Sequence, residues 1–130
     1  NDKEDLSMLF LQYPKCSTCR KAKKWLDANK IAYTERHIVE KNPTCDELKE
    51  WYKKSGLPLK KFFNTSGLLY KEMQLKDRLP AMSEEEQIKL LAGNGMLVKR
   101  PIIIDGETVL AGFKESEWAE KLGGFVLEQN

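Results

Sequence analysis

Apolar and polar positions near the start of the chain predict a strand, a helix and a second strand. Residues 8–11 are four consecutive apolar residues that end before Pro14, as in a buried strand stopped by proline. From Ser17 or Thr18 to Asn29 the apolar positions follow a helical period, with one face formed by Cys19, Ala22 and Leu26 and with Trp25 beside it. A second strand is predicted over 31–39. A helical crossover of this kind joins two parallel strands.

The middle of the chain carries helix signals. Thr44 with Glu47, and Ser83 with Glu86, form the serine or threonine plus glutamate spacing of a capping box. The first box precedes an apolar stripe at Leu48, Trp51 and Tyr52, and the second precedes one at Ile88, Leu90 and Leu91. The cluster at 64–67 is a predicted turn. We therefore expect a helical insertion over about 43–95.

Near the end of the chain the helical spacing of apolar residues gives way to a strand-like pattern. Residues 101–104 and 108–110 predict two strands, and Asp105-Gly106 between them predicts a tight hairpin turn. A last helix is expected over about 115–122, with Trp118 and Leu122 facing inward and its end at Gly123-Gly124. The predicted order is thus β-α-β, a helical insertion, then β-β-α.

Composition narrows the class of protein. The 130 residues, 41% hydrophobic and 32% charged, suit a single domain with its own core and exclude a disordered chain. No stretch approaches the ~18 apolar residues of a membrane span, and no export signal opens the chain, so a cytoplasmic protein is expected. A net charge of +2 gives no reason to expect direct nucleic-acid binding. The polar segment 1–7 is predicted to be disordered or foreign to the domain.

The cysteines are more informative than the overall composition. Three cysteines are too few for a disulfide-built scaffold, and two of them form the Cys-x-x-Cys motif Cys16–Cys19. Cys16 falls at the turn that opens the first helix, where unpaired N–H groups favour a thiolate. The basic residues between Lys15 and Lys24 add positive charge. Cys16 is therefore the predicted nucleophile, and Cys19, one turn further on, could attack a sulfur bound to Cys16 and close a disulfide.

Other interpretations of these residues stay open. The motif could be half of a zinc site, although Cys45 and His37 are the only other soft ligands and do not form a second close pair. Cys19 could be a plain core residue. The basic stretch could be a solvated helix face, as we expect for Lys23 and Lys24. Cys45 is expected to be an incidental surface thiol, and Arg100, by itself, could be a surface residue before a strand.

Two ordered segments carry a resemblance to a known family. The residues at 13–22 (YPKCSTCRKA) and 99–105 (KRPIIID), supported by 109–113 (VLAGF), resemble the arsenate reductase ArsC/Spx family, a branch of the thioredoxin superfamily. The resemblance spans about 8–122, and 63–67 with Tyr70 is similar to the ArsC-related branch. It implies a thioredoxin-like α/β fold in which a cis-proline loop at Arg100-Pro101 faces the Cys-x-x-Cys motif.

The resemblance also implies an activity. Arsenate reductases of this family use a nucleophilic cysteine at the place of Cys16 and three arginines, of which Arg100 matches one. The other two would fall near Asn64 and Gly112, where no arginine stands, so efficient arsenate reduction is not expected. The implied site is a thiol-disulfide or arsenate reductase-like centre whose catalytic residues are Cys16, Cys19 and Arg100. Its substrate-binding residues would be Ser17, Thr18, Asn64, Ser66 and Pro101.

The implied chemistry needs no metal and no bound cofactor. The substrate would be a small oxyanion or a thiol or disulfide, and electrons would come from glutathione, glutaredoxin or thioredoxin. The alternative is a redox-sensing transcriptional regulator of the Spx type, which binds the C-terminal domain of the RNA polymerase α subunit. Gly56 falls where those regulators have a glycine at the polymerase contact, although a helix end explains Gly56 equally well.

Overall fold

The computed structural model describes residues 8–123, so the segment 1–7 and Gly124, for which predictions were made above, lie outside the described residues. The described residues form two compact units, one comprising 8–36 with 100–123 and the other 37–99. No helix within residues 8–123 is long and apolar enough to cross a membrane.

The strands form one four-stranded sheet in the order β2-β1-β3-β4. Their bounds are Leu9–Gln12 (β1), Thr34–His37 (β2), Ile102–Asp105 (β3) and Thr108–Ala111 (β4). β1 pairs antiparallel with β3, placing Leu11 opposite Ile102, and β3 pairs antiparallel with β4. The predicted mixed α/β order is confirmed. The pairing of β1 with β3 joins the two N-terminal strands to the two C-terminal strands in one sheet.

Helix α1 (Ser17–Ala28) joins β1 to β2 and forms where the apolar period predicts it. Its buried positions are Cys19, Ala22, Trp25 and Leu26. Asn29 closes the helix, and its side chain donates to the carbonyl of Trp25 at 2.9 Å. The buried face fixes which way the start of the helix points and so places the Cys-x-x-Cys motif.

The core of the first unit is built around Trp118 of helix α6 (Glu115–Leu122), whose side chain has no exposed surface. Its ring meets those of Trp25, Phe10 and Phe113 edge-on, with centroids 4.7–6.4 Å apart. Buried aromatic pairs of this geometry add about 0.5–1.5 kcal/mol each beyond the area that they bury. The predicted inward positions of Trp118 and Leu122 are confirmed, Leu122 being partly buried against this core.

The second unit is helical. Its helices are Cys45–Ser55 (α2), Leu68–Glu72 (α3), Leu75–Arg78 (α4) and Glu84–Gly93 (α5), with 3₁₀ turns at Leu59–Phe62, Leu79–Ala81 and Gly95–Leu97. Both predicted capping boxes are present: Thr44 caps α2 and Ser83 caps α5, each with its glutamate reaching back to the cap N–H. The short helices α3 and α4 were not predicted, since neither carries a full amphipathic period.

Two predicted boundaries were wrong. The second strand was expected over 31–39 but forms only over Thr34–His37, because Ile31 and Tyr33 instead pack against the core from the preceding loop. In the hairpin, Asp105 still pairs with Thr108, so the connecting residues are Gly106 and Glu107. Gly106 has φ +61°, a conformation that glycine adopts without strain.

Candidate active site

Cys16 lies at the N-terminal end of α1, as its sequence position predicts. It is the N-cap residue, with extended φ −90° and ψ 123°, and its side chain makes no capping hydrogen bond. Its backbone is fixed on both sides: its N–H donates to the carbonyl of Tyr13 at 2.9 Å, and its carbonyl accepts from the N–H of Arg20 at 3.1 Å. The thiol is partly exposed and stands at the positive end of the helix.

Cys19 is one turn further along the helix and is completely buried. Its sulfur accepts a hydrogen bond from the backbone N–H of Tyr13 at 3.4 Å. Cys16, Cys19 and Cys45 are free thiols, so the predicted Cys16–Cys19 disulfide is not formed in this structure. The structure therefore brings together a partly exposed thiol and a buried one in the reduced form.

The two thiols are shifted in opposite directions. Burial raises the pKa of Cys16, but the backbone N–H and thiol of Cys19, the backbone N–H of Thr18 and the Arg100 side chain lower it, and the net pKa lies below the ordinary value. Burial raises the pKa of Cys19 to about 12, and the negative charge on Cys16 adds to that rise. Cys16 is thus the thiol that ionises more readily, and Cys19 is a hydrogen-bond donor to it.

Arg100 approaches the motif from the segment before β3. Its guanidinium carbon lies 5.1 Å from the centroid of the Tyr13 ring, and its side chain is within hydrogen-bonding reach of Cys16. Tyr13 is the residue whose part in the site was not predicted, since in the sequence it stands only as the first residue of the family-like segment 13–22. Its ring contacts Arg100, its N–H contacts Cys19 and its carbonyl contacts Cys16.

The Arg100-Pro101 peptide bond is cis, and Pro101 is buried. The carbonyl of Pro101 accepts from the N–H of Gly112 at 2.8 Å. Gly112 has φ +85°, and its own carbonyl accepts from the indole N–H of Trp118 at 3.1 Å. An arginine at position 112 would be forced into this left-handed backbone, which explains in physical terms why glycine stands there.

The other predicted substrate-binding residues are divided between the units. Ser17 and Thr18 are exposed on the first turn of α1, beside Cys16. Asn64 and Ser66 belong to the second unit, where the N–H of Asn64 donates to the carbonyl of Leu97 at 2.8 Å. A Cβ on Gly67 would lie 2.5 Å from the Asn64 amide nitrogen, so any other residue here would require the Asn64 side chain to move. A substrate-binding role for Asn64 and Ser66 stays a prediction.

The basic stretch contributes less than its sequence suggests. Lys23 pairs with Glu35 at 3.0 Å, and the side chain of Gln12 also donates to Glu35. Lys24 is exposed. The groups that lower the pKa of Cys16 are the Cys19, Thr18 and Arg100 groups, not the lysines. For Lys23 and Lys24 the expectation of a solvated helix face is confirmed.

The residues considered for a zinc site do not assemble one. Among residues 8–123 no group of three or more histidine, cysteine or acidic side chains could hold a metal ion. His37, the last residue of β2, accepts at Nδ1 from the N–H groups of Val39 and Glu40 at 3.2 and 3.0 Å, which occupies one of its two possible ligand atoms. Cys45 is a partly buried residue at the start of α2.

Known proteins resemble this chain along most of its length. YusI of Bacillus subtilis strain 168 is 56% identical over 115 residues, covering 88% of this chain and 98% of that protein. The global transcriptional regulator Spx of Staphylococcus aureus strain Mu50 is 33% identical over 105 residues, covering 80% of this chain and 78% of the regulator.

Solved structures agree with the sequence relatives. A Bacteroides fragilis protein whose structure was solved as related to the ArsC family is 61% identical, with a TM-score of 0.86 over 89% of this chain and 98% of that one. A possible arsenate reductase from Streptococcus mutans UA159 is 42% identical, with a TM-score of 0.78 over 84% and 92%. The fold is therefore the thioredoxin-like α/β fold that the resemblance implied. Residues 11–121, most of the chain, match the ArsC family, and the chain therefore belongs to that family.

Proposed function

We propose that the protein is an arsenate reductase-like thiol-disulfide oxidoreductase in which Cys16 attacks the substrate and Cys19 resolves the intermediate. The observation that carries this proposal is the opposite shift of the two thiols, with the pKa of Cys16 lowered and that of Cys19 raised to about 12. A nucleophile must be ionised and reachable, whereas a resolving thiol must stay protonated until its target sulfur is in place. The partial exposure of Cys16 and the burial of Cys19 support these two assignments.

With a disulfide substrate, the Cys16 thiolate attacks one sulfur and the other leaves as a thiolate. Cys19 then loses its proton to solvent or to that leaving thiolate and attacks the Cys16 sulfur of the mixed disulfide. The second substrate thiolate departs, and Cys16–Cys19 becomes the disulfide. Two electrons have passed from the protein to the substrate, and glutathione, glutaredoxin or thioredoxin would return them by the reverse exchange.

With arsenate, the Cys16 thiolate would attack arsenic and one oxygen would leave as water after protonation. The attack of Cys19 on the Cys16 sulfur would then pass the S–As electron pair to arsenic, which would depart as arsenite. Arg100, the N–H groups at 17–19, the Ser17 and Thr18 hydroxyls and the Pro101 loop would hold the oxyanion. Asn64 and Ser66 are the proposed substitutes for a missing arginine.

Paired turnover assays test the proposal. One assay supplies arsenate with glutathione and glutaredoxin, and the other supplies a small disulfide with thioredoxin or glutathione. We expect disulfide turnover that is lost in Cys16→Ser, and weak or no arsenate turnover because only Arg100 of three arginines is present. Efficient arsenate turnover would show that one arginine suffices, and no turnover in either assay would refute the oxidoreductase proposal.

A regulatory function is the second candidate, supported by the 33% identity to Spx. Gly56 ends α2 with φ +69°, and a Cβ there would meet nothing within 4 Å. The regulator hypothesis predicts a complex with the RNA polymerase α C-terminal domain that Gly56→Glu weakens. Gly56→Asn is the matched control, because asparagine tolerates this backbone conformation. Absence of a complex in both redox states would remove the hypothesis.

A further inference from the structure

Tyr13 contacts all three groups of the proposed redox centre. Its ring lies 5.1 Å from the guanidinium carbon of Arg100, its N–H donates to the sulfur of Cys19 at 3.4 Å, and its carbonyl accepts from the N–H of Cys16 at 2.9 Å. Any residue at this position could make the carbonyl contact, and any residue except proline could make the N–H contact. The ring contact depends on the side chain, and it is the one that substitution can test.

A guanidinium beside a thiolate needs more than the attraction of opposite charges to stay in place. Arginine has a long side chain with several rotatable bonds, and ordering it costs conformational entropy. A ring face attracts the cation through its quadrupole and also occupies the space into which the side chain would otherwise swing. Arg100 is bonded to the buried Pro101 through the peptide at the start of its loop, so the ring restrains the free end of a side chain whose base is already fixed.

We propose that Tyr13 is a positioning residue of the Cys-x-x-Cys site, whose ring holds the Arg100 guanidinium beside Cys16. This inference rests on the proposed function, because it assumes that the Cys16 thiolate is the reacting group. It assigns the ring a role that Phe can fill and that an aliphatic residue of similar volume cannot. The hydroxyl of Tyr13 is not needed for it.

The test is the pH profile of alkylation at Cys16 by iodoacetamide, followed by mass spectrometry in wild type, Tyr13→Leu and Tyr13→Phe. Tyr13→Leu removes the cation–π contact that holds Arg100. We therefore expect the alkylation midpoint of Cys16 to rise by about half a pH unit. Alkylation well below the midpoint then slows about threefold. Tyr13→Phe keeps the wild-type profile, which a purely hydroxyl-based role would not allow. Tyr13→Met replaces Tyr13→Leu if the latter does not fold.

The same substitution on an Arg100→Gln background separates the ring from other effects. With no cation to hold, Tyr13→Leu should produce no further shift. An equal shift on both backgrounds, an unchanged profile in Tyr13→Leu, or a shift in Tyr13→Phe as large as in Tyr13→Leu would each overturn the proposal. A wild-type midpoint at or above the ~8.5 of free cysteine would instead refute the proposed function, so the two failures are distinguishable.

Discussion

Cys16 is the N-cap residue of α1 and Cys19 stands one turn further along, yet the first is partly exposed and the second has no exposed surface. That difference separates their chemistry. Cys16 receives hydrogen bonds from the backbone of Cys19 and Thr18 and from Arg100, which lower its pKa, whereas burial raises the pKa of Cys19 to about 12. A spacing of three residues thus gives one thiolate and one thiol at the same pH.

Selective alkylation should follow from this separation. At neutral pH we expect iodoacetamide to modify Cys16 at least tenfold faster than Cys19, since reaction requires both a thiolate and access. Peptide mass spectrometry after brief treatment measures the ratio directly. Cys45 in the same sample serves as an internal reference for a thiol outside the motif. Equal rates at Cys16 and Cys19 would contradict the assignment of nucleophile and resolving thiol.

The raised pKa of Cys19 predicts how stability depends on pH. Between about pH 9 and 11 this thiol stays protonated in the folded protein but ionises in the unfolded chain, so the unfolded state binds fewer protons and stability falls as pH rises. One such group contributes a slope of up to about 1.4 kcal/mol per pH unit.

Cys19→Ala removes that slope. It also removes the thiol hydrogen bond that lowers the pKa of Cys16, while titrations away from the motif stay in place. Its free energy of unfolding, measured with urea, should be lower than that of wild type near pH 7 because of the cavity, and should fall less steeply above pH 9. Parallel curves for the two proteins over this range would show that Cys19 is not protonated in the folded state at high pH.

Local sequence signals predict the two capped helices, whereas the extent of strand β2 depends on pairing between distant residues. The boxes at Thr44 and Ser83 predict α2 and α5 because a cap and its partner lie three residues apart in sequence. The extent of β2 depends instead on how much of 31–39 can pair with β1 once Ile31 and Tyr33 have packed into the core. Nothing in the local pattern distinguishes a paired residue from an extended one.

In the candidate site, too, local sequence predicts some features but not the contacts between distant residues. The place of Cys16 at a helix start follows from the apolar pattern of 17–29, and the burial of Cys19 follows from its position on the apolar face. The contact between Tyr13 and Arg100 joins residues far apart in the chain and leaves no local signature. The lysines were overestimated for a related reason, because the partner of Lys23, Glu35, lies on a different element.

The lysines therefore offer a sharp comparison with Arg100. Replacing Lys23 and Lys24 together with Gln should leave the alkylation midpoint of Cys16 unchanged, because Lys23 is paired with Glu35 and Lys24 is exposed. Arg100→Gln, which removes a single charge, should raise that midpoint. If the double lysine variant shifts the midpoint more than Arg100→Gln does, the general field of the basic stretch outweighs the local hydrogen bond.

Gly112 should be intolerant of a side chain for backbone reasons. Gly112 has φ +85°, a left-handed conformation in which alanine is strained. Gly112→Ala is therefore expected to destabilise the protein by about 1–2 kcal/mol. Gly112→Asn, which tolerates that region better, should cost less. Urea unfolding of the pair makes the comparison. Equal losses for Ala and Asn would indicate that lack of space, not backbone strain, determines the effect.

Trapping the intermediate tests the central claim most directly. Cys19→Ser, treated with oxidised glutathione and analysed by intact mass and peptide mapping, should accumulate one glutathione on Cys16. Wild type under the same conditions should lose two hydrogens and form the Cys16–Cys19 disulfide without retaining glutathione. Accumulation of the mixed disulfide on Cys45, or a stable glutathione adduct on wild-type Cys16, would contradict the account of Cys16 as nucleophile and Cys19 as resolving thiol.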